Sequence, residues 1–260
     1  MKNILLVSLL FVVGLAYSEP VKSMLGSDGC EIAGESVDYP TDYITDGIVS
    51  LWDGIDNVGF GVHDEDSRIW VDCIEGNEIE LTSTRASFDD NSFYVNARRL
   101  SIFSGACFPF FDSMLEQSFG SGVFTVEISR YVESSYQASF EDIRLTDDDG
   151  TTLLAESTSG MKEGSDASWV NIYPGYTFLS RNTLEYRSAT IALVVDGNKV
   201  KCYANGVYKT TKTLSGPIAP TKILIGMAES NIYSIRIYGR LLTAAEVNYN
   251  YLVDCERFGL

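Results

Sequence analysis

From about Asp46 onward the chain is built of short runs in which apolar and polar positions alternate, each run closed by Gly, Asp, Asn or Ser. β-branched and aromatic residues concentrate in twelve such runs: 47–52, 69–74, 78–82, 92–96, 122–131, 138–146, 151–156, 168–173, 188–195, 199–204, 221–227 and 232–238. Many short strands at this spacing predict a sandwich or barrel. The clearest stretch runs from Ile191 to Val200, where an Asp196-Gly197 turn joins two strands, and Asn205-Gly206 then turns the chain again. These residues tolerate the positive φ of tight hairpins. Asp147-Asp148-Asp149-Gly150, between two alternating runs, predicts a third, solvated hairpin tip.

The period changes once, near the end. Thr243 stands three residues before Glu246, a capping-box pair, followed by Val247, Tyr249, Tyr251 and Leu252, with Gly259 as the stop. A short terminal helix is expected. Just before it, alternation in 232–238 places Tyr233, Ile235 and Ile237 on one face and Ile232, Ser234, Arg236 and Tyr238 on the other. An arginine inside a strand calls for a carboxylate partner, so Arg236 is read as structural. The apolar segment 103–119, with Cys107-Phe108-Pro109-Phe110-Phe111, is poorly strand-like and is expected to plug the sandwich, the alternative being an exposed contact patch.

Three of these stretches together resemble the laminin G-like branch of the concanavalin A-like lectin/glucanase superfamily. They are Asp46 to Asp72, the Asp196-Gly197 hairpin with Val200, Tyr203, Asn205 and Gly206, and Ile232 to Thr243 continuing through Glu246, Asn250-Tyr251 and Asp254 to Phe258. The last is the most specific, while 81–187 matches only in its rhythm of strands. The resemblance implies an all-β, two-sheet antiparallel jelly-roll sandwich with a short C-terminal helix. It also implies a binding role toward glycans or extracellular proteins, sometimes with calcium.

The first residues modify that picture at one end. Met1-Lys2-Asn3 precedes a 13-residue apolar run, Ile4 to Ala16, and then Ala16-Tyr17-Ser18. At about 1.5 Å per residue that run falls short of the roughly 30 Å of a bilayer core, and the small residues suit signal peptidase. The expected organisation is a signal peptide over 1–18, a linker or loosely docked leader over 19–45 and one domain over 46–260, secreted and without a membrane segment. Five cysteines, Cys30, Cys73, Cys107, Cys202 and Cys255, would then meet an oxidising compartment. Alternation buries Cys202 beside Val200 and Ala204, whereas Cys30 and Cys255 are expected to be exposed. Pairing stays open, and no spacing is of the C-x-x-C type.

Charge narrows the partners. With 19 basic and 36 acidic residues the chain carries −17 at pH 7, a sign that repels phosphate backbones and makes acidic polymers poor bulk ligands. Nucleic acid is excluded. The single histidine, His63, excludes multi-histidine zinc sites and leaves any triad chemistry one candidate base. Retaining glucanases need two carboxylates about 5 Å apart; Glu75, Glu78 and Glu80 come nearest, but Ile79 stands between the last two and the Glu-x-Asp-x-x-Glu pattern is missing. A glycoside hydrolase is therefore a lesser alternative. Asp53, Asp56 and Asp64 crowd one loop and suit calcium, which takes six to eight oxygens, although Asx-turns beside Gly54 and Gly59 would also explain Asp53 and Asp56. Trp169, Tyr173 and Tyr176 around Pro174-Gly175, with His63, are the candidate ligand contacts, since sugar faces stack on aromatic rings. The function expected is non-catalytic recognition of a glycan or extracellular protein; the main alternative is a surface adhesion protein with no sugar specificity.

Overall fold

The computed structural model describes residues 42–55, 69–76, 78–80, 86–88, 93–95, 106–109, 121–132, 139–159, 169–173, 177–178, 188–225 and 230–260. Two antiparallel sheets face each other. The larger contains β14 (Val207–Thr213), β13 (Lys199–Ala204), β12 (Ser188–Asp196), β7 (Val123–Val132), β16 (Ser230–Tyr238), β5 (Phe93–Val95) and β4 (Ala86–Phe88) in that order, with β1 (Ile48–Asp53) also on β16. β5 pairs with residues 230–232 of β16 and β1 with residues 234–238, so the two follow each other along one edge of that strand. The smaller sheet runs β11 (Thr177–Phe178), β10 (Trp169–Tyr173), β9 (Thr152–Ser159), β8 (Ser139–Thr146), β15 (Lys222–Ile225), β6 (Ala106–Pro109). β2 (Ile69–Val71) and β3 (Glu78–Glu80) form a separate pair, and the helix α1 spans Ala244–Phe258. This is the expected antiparallel sandwich with its terminal helix. Of the segment 103–119, Ala106 to Pro109 forms a strand paired with β15, and the rest, with the side chains that would decide between plug and patch, lies outside the described residues.

The inter-sheet core joins Phe124, Val126 and Ile128 of β7, Ile191, Leu193 and Val195 of β12, Ile235 and Ile237 of β16, and Leu145, Leu154 and Ile223 from the smaller sheet. Trp52 and Trp70 close it and have no exposed surface. Each such side chain contributes roughly 1.5–3 kcal/mol on leaving water. A second apolar cluster lies on the other side of the larger sheet, where Ala192, Val194, Tyr203 and Tyr238 meet Leu242 and Val247 beneath α1. Two buried faces explain why β12 is apolar almost throughout, with Ala189 to Val195 all buried.

Local chemistry sets the connections. Gly197, φ 60°, occupies the first of two loop residues between β12 and β13, the II′ pattern, whereas Asn205 and Gly206 are both left-handed, φ 51° and 71°, the I′ pattern. A Cβ on Gly206 would stand 2.6 Å from Asn248 Oδ1, so this turn also seats the helix. At Asp147 the backbone N–H of Thr151 donates to Oδ1 at 2.7 Å, which closes the β8–β9 tip. Thr243 and Glu246 form the reciprocal capping box, and Gly259 ends α1 in the left-handed conformation.

One face assignment is reversed. A register shift between Ile232 and Ser234 inserts a bulge, so Ile232 turns into the core while Tyr233 joins Ser234, Arg236 and Tyr238 on the helix side. Tyr233 there stacks on Phe258 at 5.0 Å. Cys202 is buried as expected, and Cys73 and Cys202 are thiols. Cys255, expected to be exposed, is 5% exposed because α1 packs it against the sheet, and it is disulfide-bonded to a cysteine outside the described side chains.

Candidate functional site

Among the described residues, three assemblies of charged and polar side chains bear on function, and their geometry separates the ones that hold the fold from those able to meet a ligand. The first lies between β7, β16 and α1. Arg236 sends Nη1 and Nη2 to Asp254 at 2.7 and 2.8 Å and Nε to Glu127 at 2.8 Å, and none of the three is exposed. Thr190 Oγ1 donates to Asp254 at 2.6 Å, and Asn250 Nδ2 donates to Glu127 and to the Tyr238 hydroxyl at 2.8 and 2.9 Å. The Tyr43 hydroxyl donates to Asp254 at 2.8 Å, and its ring lies 4.2 Å from the guanidinium carbon. Ile44 N–H donates to Asn250 Oδ1 and its carbonyl accepts from Tyr238. Tyr43 and Ile44, which fell in the expected leader, are thus built into the domain.

Burial opposes the charge of Arg236, but Asp254 and then Glu127 hold it firmly protonated. Burial raises the Glu127 carboxyl above its ordinary range, and Arg236 only partly offsets this. Burial likewise pushes the Tyr43 and Tyr238 hydroxyls up. A guanidinium with no exposed surface, bound bidentately to Asp254 and donating also to Glu127 and Ser234, has nothing to offer a substrate. Arg236 is structural, as its place in a strand predicted.

The second place is the edge where β1 ends. Asp53 is 1% exposed, and its Oδ1 accepts from Ile55 N–H at 2.8 Å, an Asx-turn, and from Arg257 Nη2 at 2.8 Å. Trp70 Nε1 donates to the Asp53 carbonyl at 3.1 Å. Asp72, fully buried, accepts at Oδ1 from the N–H groups of Leu51 and Ile74, so it ties β1 to the turn after β2. An arginine already supplies the positive charge at Asp53, and among the described residues no three acidic, histidine or cysteine side chains form a metal cluster. Asp53 therefore sits in a network that needs no ion to explain it. Asp56, Asp64 and His63 lie outside the described residues.

Glu78 and Glu80 lie on β3, whose partner is β2, apart from both main sheets, and Glu75 is exposed in the preceding turn. Trp169 and Tyr173, read as near a loop, belong to β10; with Asn171 they have the strand parity whose β9 partners are Ser159, Ser157 and Ala155. Their side chains, and Tyr176 altogether, lie outside what is described.

The third place was not singled out from the sequence. On β13, Val200 and Cys202 enter the core, so Lys199, Lys201 and Tyr203 have the outward parity. Across the strand pair they face Thr213, Thr211 and Tyr208, in three successive cross-strand pairs. Tyr208 is half exposed, meets Tyr203 edge-on at 5.6 Å and shares a hydrogen bond with Thr211. Its signal in the sequence is the distribution of charge, since 197–228 holds five lysines and no Asp or Glu.

No family model and no curated protein matches the sequence. Solved structures do resemble the fold. Trypanosoma rangeli sialidase in complex with 2,3-difluorosialic acid superposes with a TM-score of 0.62 at 13% identity, over 83% of this chain and 34% of that one. The binding domain of Paraclostridial Mosquitocidal Protein 1 superposes with a TM-score of 0.54 at 16% identity, over 79% and 52%. The chain thus spans about a third of the sialidase and half of the toxin domain. The chain is a β-sandwich of the kind found within both.

Proposed function

We propose that this protein is a secreted, non-catalytic binding module of the laminin G-like type that recognises a glycan. The observation that carries the reading is the use made of its converging carboxylates. Glu127 and Asp254 meet on one guanidinium at zero exposure, and Asp53 is held by Arg257, so these acids are spent on architecture. A hydrolytic pair would instead face an open cleft with one acid free to give a proton. What the outward face of β13 and β14 offers to a partner is hydroxyl, amine and aromatic. That set binds sugars without reacting with them. Support comes also from the likeness to a protein solved with sialic acid derivatives and to a toxin's binding domain.

The test is a panel of glycans, neutral and charged, presented to the purified protein with calcium and with a chelator, beside an assay for new reducing ends. Binding without release of reducing ends is the expected result. Release that Glu78→Gln or Glu80→Gln abolishes would replace this reading with a hydrolase. The calcium expectation rides on the same panel: loss of binding in chelator would support a bound ion, and Asp56→Ala and Asp64→Ala would then test the candidate loop.

A further inference from the structure

The strands β13 and β14 hold a charge anomaly. Residues 197–228 contain five of the 19 basic residues and none of the 36 acidic ones. Two explanations compete for those lysines. Lys209 and Lys212 lie on β14, the edge strand of the larger sheet among the described residues, where lysine discourages pairing with another chain. That reason does not reach Lys199 and Lys201, because β13 is flanked on both sides by β12 and β14. Both are exposed, and among the described residues neither forms an ion pair. Asp196 is the one carboxylate opposite them, facing Lys199 at the mouth of the hairpin. Lys201 faces the buried Val194 on one side and Thr211 on the other.

We propose that the outward face of β13 and β14 binds an anionic glycan chain, one bearing sulfate or carboxylate groups. Lys199 and Lys201 are the anion contacts, Thr211 and Thr213 the hydroxyl contacts, and Tyr208 the ring on which a sugar packs. This rests on the glycan reading above and names its ligand class. Alternate residues of one strand stand about 6.6–6.8 Å apart, so the two ammonium groups can meet successive charges of an extended chain. Tyr208, braced edge-on by Tyr203, presents half of its surface beside them. Among the described residues β14 has no strand beyond it, which leaves a polymer room to run across the face.

The net charge of −17 argues against any polyanion at long range. At about 0.15 M salt the Debye length is only about 8 Å, so acidic groups elsewhere are screened from a ligand seated on this face. The sign of the local field then decides. The same screening makes binding sensitive to salt, because each lysine engaged releases counterions.

The experiment uses purified full-length protein with heparin, polygalacturonate, neutral dextran and inorganic polyphosphate as probes. Expected is binding to heparin or polygalacturonate that weakens steeply with salt, with none to dextran. The double substitution Lys199→Glu, Lys201→Glu should lower that affinity by roughly tenfold or more. Lys222→Glu, at a lysine that donates to the Asp148 carbonyl on the other sheet, should leave it unchanged. Tyr208→Ala should weaken the glycans and spare polyphosphate, which offers no sugar face. Anionic-glycan binding that survives the double substitution in a protein of unaltered melting temperature would overturn the proposal. Binding confined to neutral members of the glycan panel would overturn it and leave the glycan reading standing, and binding to no glycan of either kind would remove both.

Discussion

The outer face of the larger sheet carries cations in two settings. Under α1, Arg236 has no exposure and its donors are taken by Asp254, Glu127 and Ser234 at 2.7–2.8 Å. Three strands away, Lys199 and Lys201 stand in water. The difference follows from solvent. A buried charge must be paired because desolvation costs several kcal/mol per ion, whereas an ammonium in water needs no protein partner. The covered half of the face therefore specifies how the helix docks, and the open half keeps its charge for whatever arrives.

Removing the cation under the helix should have the largest effect. Arg236→Met leaves Asp254 and Glu127 buried without their guanidinium, and a loss of about 3–5 kcal/mol is expected. In a thermal melt this would appear as a drop of at least about 6 °C for a domain of this size. A drop below about 2 °C would mean that the network contributes little. Glu127→Gln sharpens the contrast between the two acids. Burial raises the folded Glu127 pKa above its unfolded value, so its favourable contribution is full below pH 4.5 and is lost as pH rises through the folded value. Gln keeps the shape without the titration. Melts from pH 4 to 7 should show the variant within about 1 kcal/mol of the parent at pH 7, with a flatter decline on the way up.

Glu246 titrates in the opposite sense. Its hydrogen bonds from Arg240, at 2.7 and 3.1 Å, with those from Thr243, lower its pKa to about 2. The folded value lies below the unfolded one, so this stabilisation is present above pH 4.5 and disappears as pH falls toward 2. Both side chains are about a quarter exposed, and solvent screening limits the pair to about 0.3–1 kcal/mol. Glu246→Gln should lose that amount at pH 7 and progressively less as pH falls through about 2, as read in denaturant midpoints. The smallest effect is expected on the open face: Lys201→Glu should change stability by less than about 0.5 kcal/mol, since no ion pair is broken there.

Legibility in the sequence tracked the range of the interactions. The β12–β13–β14 meander, the capping box and the Gly259 stop are set by residues a few positions apart, and all were readable. The burial of Cys202 followed from alternation. Arg236 could be recognised as paired from its place in a strand, but Glu127 lies 109 residues away and Asp254 sits on a helix, so neither partner was visible. The bulge at Ile232–Ser234 defeated the face assignment of Tyr233 because a period-2 reading has no term for an extra residue. Cys255 was misjudged for a similar reason, since nearness to the end of the chain says nothing of what the helix packs upon. At the candidate sites, Asp53 and its Asx-turn were legible, while Arg257 was not. The β13–β14 face was legible only as a run of sequence without acids.

The tie between Tyr43 and Asp254 joins residues 211 positions apart, and β1 reaches its register only on β16. Strand β7, in the middle of the sheet, also waits for β16. The larger sheet therefore cannot close during synthesis until residues 230–258 have emerged, and the chain must pass most of its elongation with β7 lacking one neighbour. High sequence separation of this kind makes folding slow relative to a helical chain of similar stability. Assembly order is thus fixed by topology: the β12–β13–β14 meander can form early, and the arrival of α1 locks the first strand and the last in a single late step.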